Sequence, residues 1–328
     1  MFHSLYPSFA REPRRFLPPL PTRRQLLLLL LVGSGLLSAR AGVTAGDKAP
    51  RKPDPKREAK APQPTTITIC YCIIVQGKKK QELKLDLTMP IQGKGPFPAV
   101  IVLHGTGPLN NGRKGFRLLG QRLACQGYVA LAVGFRCKPT DAYPASIQDV
   151  EAALDWVLKN AAKYRIDKER IGVLGFSGGG TLGCLLGMKK SGQVRAVISY
   201  SAPSDLIRLH KTAKGIEGWF IATMLEQWFG GPPHGKVRAK YEAASPVTYV
   251  HKKAAPMLLL HGSADPVIPV EQSQLLAQKL KKAGAKVALL TFEHAPHDFD
   301  ELPDMNARLA AVVVEAFLQD QLKPKAAG

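Results

Sequence analysis

The chain has 328 residues, a formal net charge of +21 at pH 7 and five cysteines. Its lysines and arginines are scattered and form no stripe interleaved with aromatic residues, which argues against a nucleic-acid-binding protein and favours an ordinary solvated basic surface. The cysteine spacing does not resemble a zinc site, and we expect neither a metal nor a cofactor.

Residues 1–46 have the pattern of an export signal. A basic, proline-containing start leads into the apolar run Leu26–Val32, and Ala39-Arg40-Ala41 fits a small-x-small cleavage site. The run Thr22-Arg23-Arg24-Gln25-Leu26-Leu27 also resembles a twin-arginine signal. An uncleaved anchor is the alternative, but the apolar stretch falls short of the ~20 residues that span a bilayer. We therefore expect a periplasmic or extracellular protein with no stable membrane span.

Residues 47–64 are rich in proline and charge and nearly devoid of apolar side chains, which predicts a disordered linker. The folded domain is expected over residues 65–322, followed by a short tail, 323–328. Export would place the cysteines in an oxidising compartment. Cys125 and Cys137 flank a predicted strand and are candidates for a disulfide, whereas Cys184 is expected to stay free in a buried helix.

Strand patterns and helix patterns alternate along this domain. Thr65–Val75 and Glu82–Met89 predict an antiparallel hairpin that turns at Gly77-Lys78-Lys79-Lys80. Six further strands are predicted at Pro98–Leu103, Tyr128–Val133, Ile171–Leu174, Val194–Tyr200, Pro256–Leu260 and Val287–Phe292. Helices are predicted at Phe116–Gln126, Ile147–Tyr164, Thr181–Lys190, Val270–Ala283 and Met305–Leu322. This alternation predicts an α/β fold with a mostly parallel, doubly wound sheet and helices on both faces.

One segment, residues 204–253, interrupts the alternation. It contains Trp219, Trp228 and the turn Gly230-Gly231-Pro232-Pro233. An insertion of this length after a central strand predicts either a cap over an active site or ordinary helical packing at the edge of the sheet.

The most informative sequence is Gly175-Phe176-Ser177-Gly178-Gly179, which joins an apolar strand directly to a helix. Small residues on both sides of a serine are typical of a nucleophile elbow, in which a strained strand-to-helix turn exposes the hydroxyl. The first amide of the following helix, that of Gly178, would then stabilise an oxyanion. The alternative is a glycine-rich turn in which the serine is incidental.

Asp265 and His297 follow the last two predicted strands. Asp265 comes just after an apolar strand, at the edge where open parallel sheets gather their active sites, although it would also serve as an N-cap for the next helix. His297 is preferred over His294 because His294 is too close to the end of its strand. His104-Gly105-Thr106-Gly107 follows another strand, and the amides of Thr106 and Gly107 are candidates to join that of Gly178 in an oxyanion hole.

These motifs together resemble the α/β-hydrolase fold, and within it the acetyl-xylan-esterase-like esterases and lipases related to dienelactone hydrolases. The Tyr164-Arg165-Ile166-Asp167 turn, the Ala244–Val250 lead-in and the Leu259–Val267 segment extend the likeness over residues 65–322. The resemblance implies Ser177 as nucleophile, His297 as base and Asp265 as the acid that orients it.

The chain departs from those relatives at two positions. Thr106 stands where many of them have glycine, and the bulky Phe176 stands where small or polar residues are common. Dienelactone hydrolases also use cysteine as nucleophile, so Ser177 argues against that activity.

The expected function is a secreted serine esterase that cleaves short acyl esters of carbohydrate through an acyl-enzyme. One alternative is a serine peptidase of the prolyl-oligopeptidase type, although the residues before Thr65 are too few for the propeller that those enzymes usually carry. A binding domain without catalytic activity is the remaining alternative, and the intact Ser177, Asp265 and His297 set argues against it.

Overall fold

The computed structural model describes residues 63–77, 79–106, 112–137, 141–301 and 304–323. The export signal expected over residues 1–46 and all but the last two residues of the predicted linker lie outside these ranges. None of the helices in the described ranges is long and apolar enough to cross a lipid bilayer.

Eight strands form one sheet. They are β1 Thr66–Gln76, β2 Lys79–Thr88, β3 Phe97–Leu103, β4 Val129–Val133, β5 Ile166–Phe176, β6 Ala196–Tyr200, β7 Met257–Gly262 and β8 Val287–Phe292. Their order across the sheet is β1-β2-β4-β3-β5-β6-β7-β8. The β1–β2 and β2–β4 pairs are antiparallel and the other five are parallel, which confirms the predicted fold class.

Eight α-helices connect these strands within the described ranges. They are α1 Arg117–Cys125, α2 Ala145–Lys159, α3 Gly178–Lys189, α4 Leu206–Thr212, α5 Gly215–Phe229, α6 Gly235–Ala244, α7 Glu271–Lys282 and α8 Met305–Leu322. Short 3-10 helices cover Gly112–Phe116, Pro246–Tyr249 and Phe299–Glu301.

The helices pack on both faces of the sheet because the buried strands are apolar on both sides. In β3, Ala99, Ile101 and Leu103 face one core together with residues of α2, α3 and α7. Val100 and Val102 alternate with them and face a second core together with α1 and α8. The parallel strands therefore share one carboxyl edge, and the loops that follow them meet there.

Some element bounds shift, since α2 ends at Lys159 and not at Tyr164 and β5 begins at Ile166, and two further details differ from the sequence predictions. The hairpin turn is tighter than expected, because Gln76 already pairs with Lys79 and Lys80 lies within β2. The Cys125–Cys137 disulfide does not form, because Cys125 carries a free, exposed thiol. Cys184 is free and buried in α3, as predicted, and burial raises the pKa of its thiol to about 12.

The segment 204–253 folds into α4, α5, α6 and the second 3-10 helix. It has a small core of its own, to which Leu225, Phe229 and Tyr241 belong. Ile268, from the loop after β7, completes that core, and Tyr143, from the connection between β4 and α2, donates its backbone N–H to Trp228 O at 3.0 Å. The insertion thus contacts loops that leave the carboxyl ends of β4 and β7.

Candidate active site

Ser177 occupies a strained turn between the end of β5 and the start of α3. Its backbone angles are φ 50° and ψ −123°, a conformation that side-chain-bearing residues rarely adopt. The turn is held on both sides, since the Ser177 N–H donates to Tyr200 O at 2.8 Å and Ser177 O accepts the Gly180 N–H at 2.9 Å. This backbone geometry is that of a nucleophile elbow.

The loop after β3 lies directly against the first residue of α3. A Cβ atom placed on Gly178 would overlap the side chain of Thr106, so only glycine fits there while Thr106 keeps its position. The structure thus brings together Thr106 and Gly178, two of the three residues expected in the oxyanion hole. Gly107, the third, lies outside the described residues.

His104, at the start of the same loop, is buried. Its ring stacks on Phe135 with centroids 4.1 Å apart, and its Nδ1 donates to Gly105 O at 2.7 Å. Burial lowers the pKa of His104 below its usual range, so the ring is neutral near pH 7. A neutral, stacked and hydrogen-bonded ring anchors the loop that carries Thr106.

The carboxylate of Asp265 is fully buried and has hydrogen-bond donors at both oxygens. Oδ1 accepts the backbone N–H groups of Val267 and Ile268, each at 2.8 Å, and Oδ2 accepts from His297 Nδ1 at 2.7 Å. Burial by itself would raise the pKa of Asp265, but hydrogen bonds from His261 and His297 outweigh it and lower that pKa to about 2. Asp265 is therefore ionised throughout the neutral range.

His297 has the opposite shift. Burial lowers the pKa of the imidazole, but the hydrogen bond and the charge of Asp265 outweigh burial and leave that pKa raised. Because Nδ1 donates to the carboxylate, the proton-accepting nitrogen at neutral pH is Nε2. His294, the competing histidine, is exposed, and its backbone N–H donates to Ser263 Oγ at 2.9 Å.

Close packing of two loops brings Asp265 and His297 together. A Cβ atom on Gly262, the last residue of β7, would overlap the backbone carbonyl of Ala295 in the histidine loop. Ser263 N–H donates to Phe292 O at 2.9 Å, and Ala264 N–H donates to Ala295 O at 3.1 Å. These contacts fix the end of β7 against the end of β8.

The carboxyl end of β6 connects the elbow to the histidine loop. Tyr200 accepts the N–H of Ser177, and its neighbour Ser201 donates through Oγ to the backbone carbonyl of His297 at 3.1 Å. The Ser177 hydroxyl and the His297 ring, both within the described residues, form no hydrogen bond with each other. Catalytic hydrogen bonds of this kind are often long in unliganded enzymes and tighten with substrate.

Phe176 belongs to a cluster of aromatic rings in which it stacks on Tyr200 and the other pairs are tilted. The aromatic cluster comprises Phe116, Phe176, Tyr200, Phe292 and Phe299, and its successive ring centroids are 4.6–5.9 Å apart. Phe116 ends the first 3-10 helix, Phe176 ends β5, Tyr200 ends β6, Phe292 ends β8 and Phe299 begins the third 3-10 helix. A bulky residue before Ser177 is therefore accommodated by ring packing that joins the candidate site's loops.

Sequence reasoning missed His261 and Ser201. His261 is entirely buried and places Nε2 3.2 Å from Asp265 Oδ2. Its position in Leu260-His261-Gly262, at the end of a buried strand, was a usable signal, because a buried histidine needs hydrogen-bond partners. No such signal marks Ser201, whose role depends on a contact 96 residues away in sequence. No group of acidic, histidine or cysteine residues suited to a metal occurs among the described residues.

The BD-FAE family model matches residues 85–280, which is more than half of the chain. The chain belongs to the BD-FAE family. The matched range includes Thr106, Gly178, Ser177 and Asp265 and ends before His297.

Among curated proteins, Esterase LipQ of Mycobacterium tuberculosis is 29% identical over 216 residues, covering 61% of this chain and 49% of that protein. An uncharacterized peptidase of Bacillus subtilis, YtmA, is 31% identical over 144 residues, covering 44% of this chain and 53% of that protein. The chain spans about half the length of these curated relatives.

Among solved structures, a truncated form of a carbohydrate esterase from gut microbiota superposes with a TM-score of 0.68 at 24% identity. The likeness covers 81% of this chain and 99% of that one. At this identity the likeness shows that the two chains share a fold.

Proposed function

We propose that this BD-FAE family member is a serine-dependent carboxylic ester hydrolase. The observation that carries the proposal is the buried Asp265–His297 pair, which lies at the same sheet edge as the strained turn of Ser177. A neutral imidazole held by a carboxylate is the base that a serine hydroxyl needs, and the names of relatives such as LipQ support ester cleavage.

In the proposed reaction, Ser177 Oγ attacks the ester carbonyl while His297 Nε2 takes its proton. The amides of Gly178 and Thr106 hydrogen-bond the oxyanion of the tetrahedral intermediate. His297 then returns the proton to the departing alcohol as the carbon–oxygen bond breaks, which leaves Ser177 acylated. Water repeats the sequence with His297 as base, and the carboxylic acid leaves.

Short acyl esters of carbohydrate are the proposed substrates. The acetyl-xylan-esterase-like motifs support this class, as does the fold shared with a carbohydrate esterase. Parallel assays of p-nitrophenyl acetate, butyrate and octanoate, with acetylated xylan as the polymer, measure acyl length and alcohol preference. Faster cleavage of octanoate than of acetate would contradict the acyl class.

The direct test compares wild type with Ser177→Ala on p-nitrophenyl acetate. We expect kcat to fall by about 10⁴-fold or more, because the remaining oxyanion contacts cannot replace the nucleophile. Ser191→Ala, just beyond the opposite end of α3, is the matched control and keeps wild-type activity. Equal rates for wild type and Ser177→Ala would refute the proposal.

Peptidase activity is a second candidate because YtmA is named as a peptidase. Ester and amide hydrolysis share the same nucleophile and base, so the candidates differ only in the preferred leaving group. Aminoacyl p-nitroanilides assayed beside p-nitrophenyl acetate separate them, and a higher kcat/KM on the anilides would reverse the preference.

A further inference from the structure

His261 is a buried imidazole that the proposed mechanism does not use. It is 0% exposed at the end of β7, with hydrogen-bond partners at both ring nitrogens. Nδ1 lies 2.7 Å from Ser273 Oγ on α7. Nε2 lies 2.8 Å from Ile268 O and 3.2 Å from Asp265 Oδ2.

These partners determine which nitrogen carries the proton. Both neighbours of Nε2, a carbonyl oxygen and an ionised carboxylate, can only accept, so Nε2 must be the donor. Nδ1 is 2.7 Å from the hydroxyl of Ser273, which can donate to an unprotonated ring nitrogen. The partners of His261 therefore place a proton on Nε2.

Asp265 Oδ2 accepts the Nδ1–H of His297 at 2.7 Å and also lies 3.2 Å from His261 Nε2, whose single N–H is shared between Ile268 O at 2.8 Å and this carboxylate. With the two amides at Oδ1, the carboxylate has three hydrogen-bond donors besides the shared N–H of His261, and these contacts fix its orientation. The N–H of His261 also interacts with the negative charge of the Asp265 carboxylate, which would otherwise interact with His297 alone.

We propose that His261 is a positioning residue of the catalytic triad, which orients the Asp265 carboxylate and limits the basicity that it confers on His297. The inference rests on the proposed function, since it concerns the same base. The charged groups that face His297 are Asp265 from the loop after β7 and Asp298 and Asp300 from its own loop, and all three raise its pKa. The Nε2–H of His261 is shared with the carboxylate of Asp265, the first of these three groups.

Two substitutions that differ by one methylene test the proposal. In His261→Gln, the new side-chain amide reaches as far as Nε2 of the histidine and preserves an N–H donor to Asp265. In His261→Asn, the shorter side-chain amide reaches only as far as Nδ1 and preserves the contact with Ser273. In His261→Asn the carboxylate acts more strongly on His297. We therefore expect the acid limb of the kcat/KM profile to move up by about half a pH unit or more. In His261→Gln the acid limb of the kcat/KM profile should stay at the wild-type position.

An NMR titration of the His297 ring in the same three proteins measures that pKa without any substrate. A merely structural role for His261 would lower activity or stability but leave the pKa of His297 unchanged in both variants, and that result would overturn the inference. Failure of the proposed function can be told apart from failure of this inference. Even if the wild-type protein is inactive, the difference in the pKa of His297 between the two variants can still be measured by NMR.

Wild-type protein supplies a measurement that does not depend on folding of either variant. The ¹⁵N chemical shifts of His261 at pH 8 should show a protonated Nε2 and an unprotonated Nδ1. A ring protonated at Nδ1 instead would remove the donor to Asp265 and overturn the proposal.

Discussion

At the scale of single residues, the chemistry of the site depends on the charge balance between Asp265 and His297. Asp265 is buried yet ionised because hydrogen bonds from the rings of His261 and His297 and from the amides of its own loop outweigh burial. Its charge keeps His297 more basic than an isolated imidazole. Neither shift was readable from the sequence, because motif order located both residues without showing the amides of the loop after Asp265. Ser177 was named from the glycine-rich strand-to-helix motif, Asp265 from its place after an apolar strand, and His297 from its place after the last strand, in the chain order that α/β-hydrolases use.

The raised pKa of His297 predicts the pH dependence of the proposed reaction. Only the neutral ring can take the proton from Ser177, so activity is lost as pH falls through the pKa of His297 in the free enzyme. We expect the acid limb of kcat/KM on p-nitrophenyl acetate to have its midpoint above the ordinary histidine value of 6.5. A midpoint below 6.5 would show that burial, and not Asp265, dominates the environment of His297.

At the scale of secondary-structure elements, every predicted strand and helix of the sheet and its two helical layers is present. Long apolar runs and clear periodicity identify buried strands and amphipathic helices from local sequence alone. The contact between the loop after β3 and the start of α3 was not predictable in this way. It depends on how β3 and β5 align side by side, which no local pattern encodes. The aromatic cluster around Phe176 was unpredictable for the same reason.

That contact predicts the effect of enlarging Gly178. The new methyl group of Gly178→Ala would overlap Thr106 and displace the loop or the helix start that would stabilise the oxyanion. We expect kcat/KM on p-nitrophenyl acetate to fall by about 10²-fold, with little change in the melting temperature.

Two further variants separate steric overlap from a general effect of alanine. Gly192→Ala, at a position with open space around it, should be neutral. Adding Thr106→Gly to Gly178→Ala removes the overlapping side chain, and activity should partly recover. The steric explanation would be contradicted if the fold loss of kcat/KM in the double variant exceeded the product of the fold losses in the two single variants.

At the scale of the whole molecule, the chain has a net charge of +21 and begins with a segment that bears on the compartment in which the protein acts. We propose that residues 1–46 direct export and that the chain is cleaved near Ala39-Arg40-Ala41, so that the hydrolase acts outside the cytoplasm. The apolar run, the small residues after it and the arginine pair support this proposal.

Export is measurable by fractionation of a bacterial host that expresses the full chain. We expect a processed protein in the periplasm or medium, with an N-terminus close to residue 42 by mass spectrometry. Substitution of Arg23 and Arg24 by lysine should retain the precursor inside the cell if the twin-arginine route is used. Unprocessed wild-type protein in the membrane fraction would instead indicate an anchor.

The central claim is that Ser177 is a nucleophile activated by His297. The most direct measurement is peptide mapping by mass spectrometry after reaction with paraoxon, an organophosphate that phosphorylates activated serines. We expect one diethyl phosphate group on the peptide that carries Ser177, and its formation should slow sharply in His297→Ala. An unmodified Ser177 in wild-type protein that still hydrolyses p-nitrophenyl acetate would contradict the claim.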